Sequence, residues 1–356
     1  MAHEELSPLN ITPGAIRFNT DSMKLEYFRI GMEGGSTSSY AGIGTMAAGE
    51  WVQITTDTPD IQTGGTRGVI VCGRSHTNID YVNMSSTGNA ITFGTASDNY
   101  EGFALASRTR GVFGGTLGYG VNMKFITISS TGGDTTFGDM SVARRSIGSC
   151  SNSTRGVLMG GLANTSPSYS GSNVLDYITI ASTGDAVDFG DLYSGAGNQT
   201  GGGWSSSTRG VHLCGTTGTT PNASGTNIIQ YITISTLGNS ADFGDAQSDT
   251  ANRGTSSNSV RGIHGNGASP VATLDYGTIA TLGNTVDFGE LTRDSSYPAS
   301  TASSTRAIFA GGASPSDQDV IDYVQIMSTG NAVDFGNLTN ARKLCMGLSN
   351  GHGGLG

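Results

Sequence analysis

A sixfold internal repeat is the feature that most limits what this chain can fold into. A Thr-Arg-Gly-like step opens an apolar run at Arg67, Arg110, Arg155, Arg209, Arg261 and Arg306, at intervals of 43, 45, 54, 52 and 45 residues. A Phe-Gly pair ends each unit, at Phe93, Phe137, Phe189, Phe243, Phe288 and Phe335. Repeats of this kind contribute one supersecondary element each, and neighbouring copies cover one another's apolar faces. The period therefore sets the architecture before any single residue does.

A unit of about 48 residues suits one four-stranded blade of a β-propeller. In the third unit, β-branched and aromatic content between turn signals predicts strands over Arg155 to Met159, Val174 to Ile180 and Ala186 to Phe189. The turn Ser182-Thr183-Gly184-Asp185 recurs as Ser86-Thr87-Gly88-Asn89 and Ser328-Thr329-Gly330-Asn331, where Gly supplies the positive φ of a tight hairpin. A fourth, small-residue strand precedes each arginine: Ser146 to Ser151, Gly202 to Ser207 and Ala299 to Ser304. Small side chains suit the crowded axis of a propeller. The first unit has no close match to this strand, whereas Leu344 to Ser349 supplies one with no unit after it. The C-terminal strand is therefore expected to enter the first blade as its inner strand, leaving no sheet edge between first and last blades.

Composition agrees with a turn-rich, all-β protein. Of 356 residues 56 are Gly, only 13% are charged and 35% are hydrophobic; the lack of a G-X-Y period excludes collagen, and the evenly spread apolar residues argue against disorder. A net charge of −10 disfavours nucleic acid and anionic membranes as partners, because both need clustered Lys and Arg. No apolar stretch is long enough for membrane insertion. The start, MAHEELSPLN, has neither the basic nor the apolar region of a secretory signal, so synthesis in a cytoplasm is expected. Cys72, Cys150, Cys214 and Cys345 lie far apart and read as buried small hydrophobes.

The repeat resembles the kelch repeat: a small-residue strand, an apolar strand ending in Gly-Gly (Gly114-Gly115, Gly160-Gly161, Gly311-Gly312), then an aromatic-bearing strand (Tyr81, Phe125, Tyr177, Tyr231, Tyr276, Tyr323) and a closing aromatic. Phe stands here where kelch blades usually close with Trp. The resemblance covers residues 60–356 and implies fold, not function. Units reading S-T-R-G-V-F-G-G and D-Y-I-T-I-x-S-T-G-x-A-x-D-F-G are also similar to kelch-like propellers of tailed, especially marine, bacteriophages, which are virion structural or tail-fibre proteins. Pro13 to Thr20, Lys24 to Phe28 and Glu50 to Ile54 are similar to a short β module of phage fibre and appendage proteins, here interrupted by a Gly/Ser-rich insertion from Gly31 to Gly49. The resemblance implies a β-hairpin module over residues 1–59 that attaches to other virion proteins or oligomerises. It further implies a six-bladed propeller over 60–356, location in the virion and a symmetric homo-oligomer.

Residues that break the period are where an enzyme would show itself. His3, His76, His212, His264 and His352 stand in unrelated contexts, without metal-site spacing, and no cofactor or phosphate-loop motif is present. No catalytic set can be assigned, and the alternative of a carbohydrate-active or oxidative enzyme on a kelch-like scaffold lacks its residues. The six arginines either form a ring for an anion or each satisfy hairpin carbonyls and a periodic acid such as Asp80, Asp176, Asp275 or Asp322, or Asp188, Asp242, Asp287 or Asp334. A residue repeated in every unit solves a problem every unit has, which favours the structural role. The Asp and Asn of the turns read as turn formers.

A recognition face follows from topology. The uniform turns lie on one face of a propeller. The irregular segments Thr116 to Asn122, Leu162 to Asn173, Thr216 to Asn227, Tyr193 to Gly201 and Arg293 to Pro298 lie on the other. Tyr100, Tyr119, Tyr169, Tyr193 and Tyr297 fall on this variable face, among Ser, Asn and Gly, the composition of adaptable binding surfaces. A host-surface glycan or a neighbouring virion protein is the expected partner, with solvated spacer loops as the competing reading.

Overall fold

The computed structural model describes residues 15–19, 24–30, 49–53, 66–98, 100–116, 118, 120–165, 168–193, 202–217, 224–250, 254–265 and 271–355. The chain divides into two compact units, Met1–Gln62 and Thr63–Gly356, three residues beyond the boundary expected from sequence. The first contains a three-stranded antiparallel sheet of Ile16–Asn19, Lys24–Ile30 and Gly49–Gln53, with Ile16 opposite Tyr27 and Phe28 opposite Trp51. Arg17 Nε donates to the buried Glu26 carboxylate at 2.8 Å across the first pair of strands. Most of the Gly/Ser insertion lies outside the described residues.

The second unit is all-β among its described residues apart from one short 3-10 turn, Gly353–Leu355. It contains six four-stranded antiparallel sheets and one additional three-stranded sheet. Each four-stranded sheet runs from a small-residue inner strand to an arginine-bearing second strand, an aromatic-bearing third strand and a Phe-Gly outer strand. In the first sheet the inner strand is Met346–Ser349, antiparallel to Arg67–Val71, with Leu348 opposite Val69. The other sheets take theirs from immediately preceding sequence.

Two inner strands begin two residues later than expected, at Gly148 rather than Ser146 and at Met346 rather than Leu344, while the inner strands expected at Gly202 and Ala299 begin there. In three sheets they start at Gly148, Ala299 and Met346, because Ser146, Tyr297 and Leu344, two residues upstream, take left-handed φ angles of 52°, 59° and 57° that a strand cannot contain. The strands end at Ser151 and Ser349 as expected, and at Ser205 and Ala302 two residues before the expected Ser207 and Ser304. The next residue often turns its side chain back: Asn152 Oδ1, Ser206 Oγ and Ser303 Oγ accept the amide hydrogens of Arg155, Arg209 and Arg306. The outer strand is longer than expected, Val187–Asp191 in the third unit, and passes the Phe-Gly glycine through a bulge.

Apolar clusters fill the spaces between adjacent sheets. One joins Val69 and Ile79 to Phe113 and Ile126, another Ile308 and Ile321 to Ile70 and Val82. The Gly after five of the six repeat arginines, Arg306 being followed by Ala307, lets sheets approach: a Cβ on Gly262 would stand 2.0 Å from the Trp204 ring of the preceding sheet. Trp204 is the largest residue on an inner strand, where Phe103, Leu105, Met346 and Leu348 are also large. It fits because Gly277 replaces the Ile or Val that follows the third-strand aromatic in other units, and its Nε1–H donates to Ile263 O at 3.0 Å.

The Phe-Gly glycine is the second close approach. A Cβ on Gly336, at φ 147°, would lie 2.5 Å from Gly88 O in the turn of the next sheet. Gly336→Ala is therefore expected to cost roughly 2–3 kcal/mol. It would be measured as a lower urea midpoint at unchanged m value.

Candidate functional site

Six inner strands line a central cavity. They neighbour one another in sequence order, and Met346–Ser349 lies beside both Ala299–Ala302 and Tyr100–Ala106. Small residues permit this approach, and hydroxyls fasten it. Ser149 Oγ and Ser151 Oγ donate to Ala104 O and Ala106 O at 2.8 and 3.0 Å, Ser257 Oγ to Ser205 O at 3.1 Å, and Ser300 Oγ to Thr255 O at 2.6 Å. Ser349 Oγ completes the set at Ala302 O. The cavity these strands line is about 150 Å³.

Residues following the last strand close one end of it. His352 is half-buried, its Nε2 2.8 Å from Ala106 O and 3.3 Å from Ser151 Oγ, while its Nδ1 accepts the Gly354 amide at 3.2 Å. Those partners require the neutral Nε2–H form. Burial pushes its pKa down to about 4, against the raising effect of the Ala106 carbonyl. Arg108 donates to Leu355 O and anchors the segment from outside. The opposite end is lined by Gly102, Ile147, Pro298 and Cys345. Burial raises the Cys150 and Cys345 thiols to about 12 and about 11, so both are inert thiols at neutral pH.

The periodic arginines lie away from this cavity and do not pair with the periodic acids. Each is half-buried and stacks on the third-strand aromatic of its own sheet, with the guanidinium carbon 4.1–4.7 Å from the ring centroid. The closing Phe meets the same ring edge-on, at 5.9–6.3 Å between centroids. The arginine Nη1 donates to a carbonyl of the next sheet: Arg67 to Ile128, Arg110 to Ile180, Arg155 to Ile234, Arg209 to Ile279, Arg261 to Ile326 and Arg306 to Met84. The expected carbonyl is present, contributed by the next sheet, and the aromatic ring stands where the carboxylate was expected.

The acids follow a separate scheme, which corrects the sequence reading. Asp188, Asp242, Asp287 and Asp334 are exposed. Asp80, Asp176, Asp275 and Asp322 are buried on third strands, each held by a residue of the preceding sheet: Thr339 and Ser141 just after its outer strand, and Gln247 and Thr292 within it. Two have a fully buried arginine: Arg144 Nη2 lies 2.6 Å from Asp176 and Arg342 Nη2 3.0 Å from Asp80. Arg293 serves near Asp322, donating to Gly311 O and Val320 O, and His264 lies 3.5 Å from Asp275. The signal was present in the Ala-Arg of Ala143-Arg144 and Ala341-Arg342, which falls outside the Arg-Gly motif.

The variable face is more regular than its composition implies. Leu162–Thr165 and Ser168–Gly171 form a hairpin that pairs with Arg144–Arg145 as the additional sheet. Thr216 and Thr217 belong to the strand Arg209–Thr217 and Ser224 to Asn227 to the strand Ser224–Thr233, while residues 218–223 lie outside the described residues. Tyr100 begins an inner strand opposite Thr116, Tyr169 is in the hairpin opposite Asn164, and Tyr193 is exposed. Tyr297 is half-buried in its left-handed conformation, its carbonyl accepting the Leu344 amide at 3.1 Å. Tyr119 lies outside the described residues. Among the described side chains, no ring contact joins these tyrosines to one another. Among the described residues, no three His, Cys, Asp or Glu side chains gather as a metal-ligand set.

No protein-family model matches the chain, and no curated protein matches it in sequence. In structure it is similar to YjhT, with a TM-score of 0.56 and 10% identity over 70% of this chain and 87% of that one. That likeness bears on fold alone and supports an all-β, β-propeller-like architecture.

The geometry makes two predictions. Asp80→Asn leaves the buried Arg342 uncompensated and is expected to cost about 3–5 kcal/mol, whereas Asp188→Asn on the exposed strand changes stability little; denaturant titration of both variants checks this. Burial lowers His212, like His352, to about 4 from 6.5. A histidine kept neutral by folding gives its full stability above pH 6.5. That contribution is lost as pH falls from 6.5 towards 4, by about 3 kcal/mol each. Unfolding midpoints of His352→Gln should therefore fall less steeply across this window than those of the wild type.

Proposed function

We propose that this chain is a virion structural protein of a tailed bacteriophage. In this reading its six four-stranded sheets form a six-bladed, kelch-like propeller closed by the C-terminal strand. Residues 1–59 join it to other virion proteins in a homo-oligomer, and the propeller is displayed as part of a tail fibre, appendage or decoration. Its variable face recognises a host-surface glycan or docks on a neighbouring virion protein.

The observation that carries the reading is the contrast between the two faces. On one, the same turn recurs with Gly in all six units and an Asx after it in five, and is bonded the same way to the preceding sheet. On the other, the connections differ from sheet to sheet, by a hairpin at 162–171 and extended strands at 209–217 and 224–233. A rigid scaffold with one invariant and one diversified face suits display and recognition. The cyclic order of the inter-sheet contacts supports the closed arrangement, and the phage-like repeat and N-terminal motifs support the virion setting.

Antibodies against residues 60–356 should decorate purified phage particles in electron micrographs, at the tail or fibre for recognition and at the neck or capsid for assembly. Particles that remain unlabelled, and lack the chain by mass spectrometry, would remove the virion reading. If the face tyrosines contact glycan, replacing Tyr169, Tyr193 and Tyr297 by Ala should reduce glycan-array binding at least tenfold. Undiminished binding would exclude those residues.

A further inference from the structure

Exposed apolar side chains are unevenly spread over the face on which the turn recurs. Leu237 and Leu282 stand in the third-to-outer turns of the fourth and fifth sheets, where the other units have Thr87, Thr131, Thr183 and Thr329. Met327, at the head of the same turn in the sixth sheet, stands where other units have Ser or Ala. Val260, just before the second strand of the fifth sheet, stands where they have Thr. These four side chains are 46–57% exposed.

They belong to one stretch of that face. The Ile279 amide donates to Val260 O at 2.9 Å, which joins Val260 to the turn carrying Leu282, and Arg261 Nη1 donates at 3.1 Å to Ile326 O, next to Met327. Arg209 Nη1 likewise reaches from the fourth sheet to Ile279 O. Folding does not call for these residues: the turn glycine donates to the preceding Phe carbonyl at 2.8 Å after Leu237 and Leu282 just as it does after Thr87 and Thr183. Single exposed apolar residues are ordinary, and Ile91, Val187, Val286 and Val333 recur on four outer strands. Apolar residues that replace hydroxyls in three successive sheets mark a contact surface.

Charge and size select what covers it. The chain carries a net charge of −10, so two copies repel unless they meet where charge is lacking. The turns at 236–239, 281–284 and 327–331 hold no ionisable group, whereas Asp134 and Asp185 stand at those of the second and third sheets. An uncharged apolar surface matches itself, as a twofold contact requires. Three sheets about 10 Å apart, each four strands spaced about 4.8 Å, offer an end of roughly 30 by 20 Å. That is the scale of the roughly 800 Å² per partner that a stable dimer buries.

We infer that the turn ends of the fourth, fifth and sixth sheets are an interface for a second copy of this chain, with Leu237, Val260, Leu282 and Met327 as its apolar centre. The contact is separate from the attachment through residues 1–59 and does not depend on the virion setting.

Sedimentation equilibrium of the full chain tests it, with Leu237→Thr, Leu282→Thr and Met327→Ser combined so that each position takes a residue the repeat already uses. The expected result is reversible self-association of the wild type, weakened at least tenfold in the triple variant at an unchanged thermal midpoint and unaffected by Val187→Thr on an outer strand of the third sheet. A wild type that stays monomeric at all concentrations, a triple variant that associates as tightly as the wild type, or equal weakening by Val187→Thr would overturn the proposal. Association lost in Phe18→Asp but retained in the triple variant would do the same, by placing the contact in the first unit.

Discussion

One backbone hydrogen bond, made at each junction between sheets, holds the second unit in register. The amide of the third-to-outer turn glycine donates to the outer-strand Phe carbonyl of the preceding sheet: Gly132 to Phe93, Gly184 to Phe137, Gly238 to Phe189, Gly283 to Phe243, Gly330 to Phe288 and Gly88 to Phe335, all within 2.8–3.0 Å. The adjacent Asx residue adds a second tie, its Oδ1 accepting an amide of the same outer strand, as Asp185 does from Asp139 and Asn89 from Asn337. These bonds require backbones closer than a Cβ allows, and Gly therefore stands on both sides of the junction. The stacked Arg, aromatic and Phe side chains lie beside them, so polar bonding and apolar packing fix the same spacing.

Away from that junction the sheets differ in how they keep a charge inside. The buried third-strand aspartate has a fully buried arginine in two sheets, a partly buried arginine in another and a histidine in a fourth. In the remaining two the position is Lys124 or Gln230, and Gln230 Oε1 accepts the Ser240 hydroxyl at 2.8 Å. Removing the acid along with its partner leaves no uncompensated charge behind. The repeat thus tolerates exchange of a whole interaction but not of half of one.

The regular features were legible because their physics is local. Tight turns demand Gly, half-buried strands show β-branched residues, and a six-times repeated spacing exposes both. What stayed hidden depends on contacts between units. The inner strands read only as small, yet Ser149, Ser151, Ser257 and Ser300 use their hydroxyls as bridges, which no pattern within one unit reveals. The turn Asx residues read as turn formers, although several bind a neighbouring sheet. Carbonyl partners were expected for the arginines, but not that they belong to the next unit, nor that an aromatic ring stands where a local acid was expected. On the variable face, alternation was too weak to reveal the hairpin at 162–171. Trp204 was readable only by noticing that another unit had lost a side chain at Gly277.

The first sheet takes its inner strand from the far end of the chain, and this orders events during synthesis. Until Met346–Ser349 emerges, Arg67–Val71 offers an unpaired edge to any strand of matching pattern. The loop closed by this pairing spans nearly the whole unit. Because closure entropy grows only logarithmically with length, the late arrival is a kinetic exposure more than a thermodynamic burden. Two unfinished or partly opened chains meeting at high concentration could exchange these strands, each completing the other's first sheet. The device that seals a single chain is therefore also its most direct route to an interlocked pair.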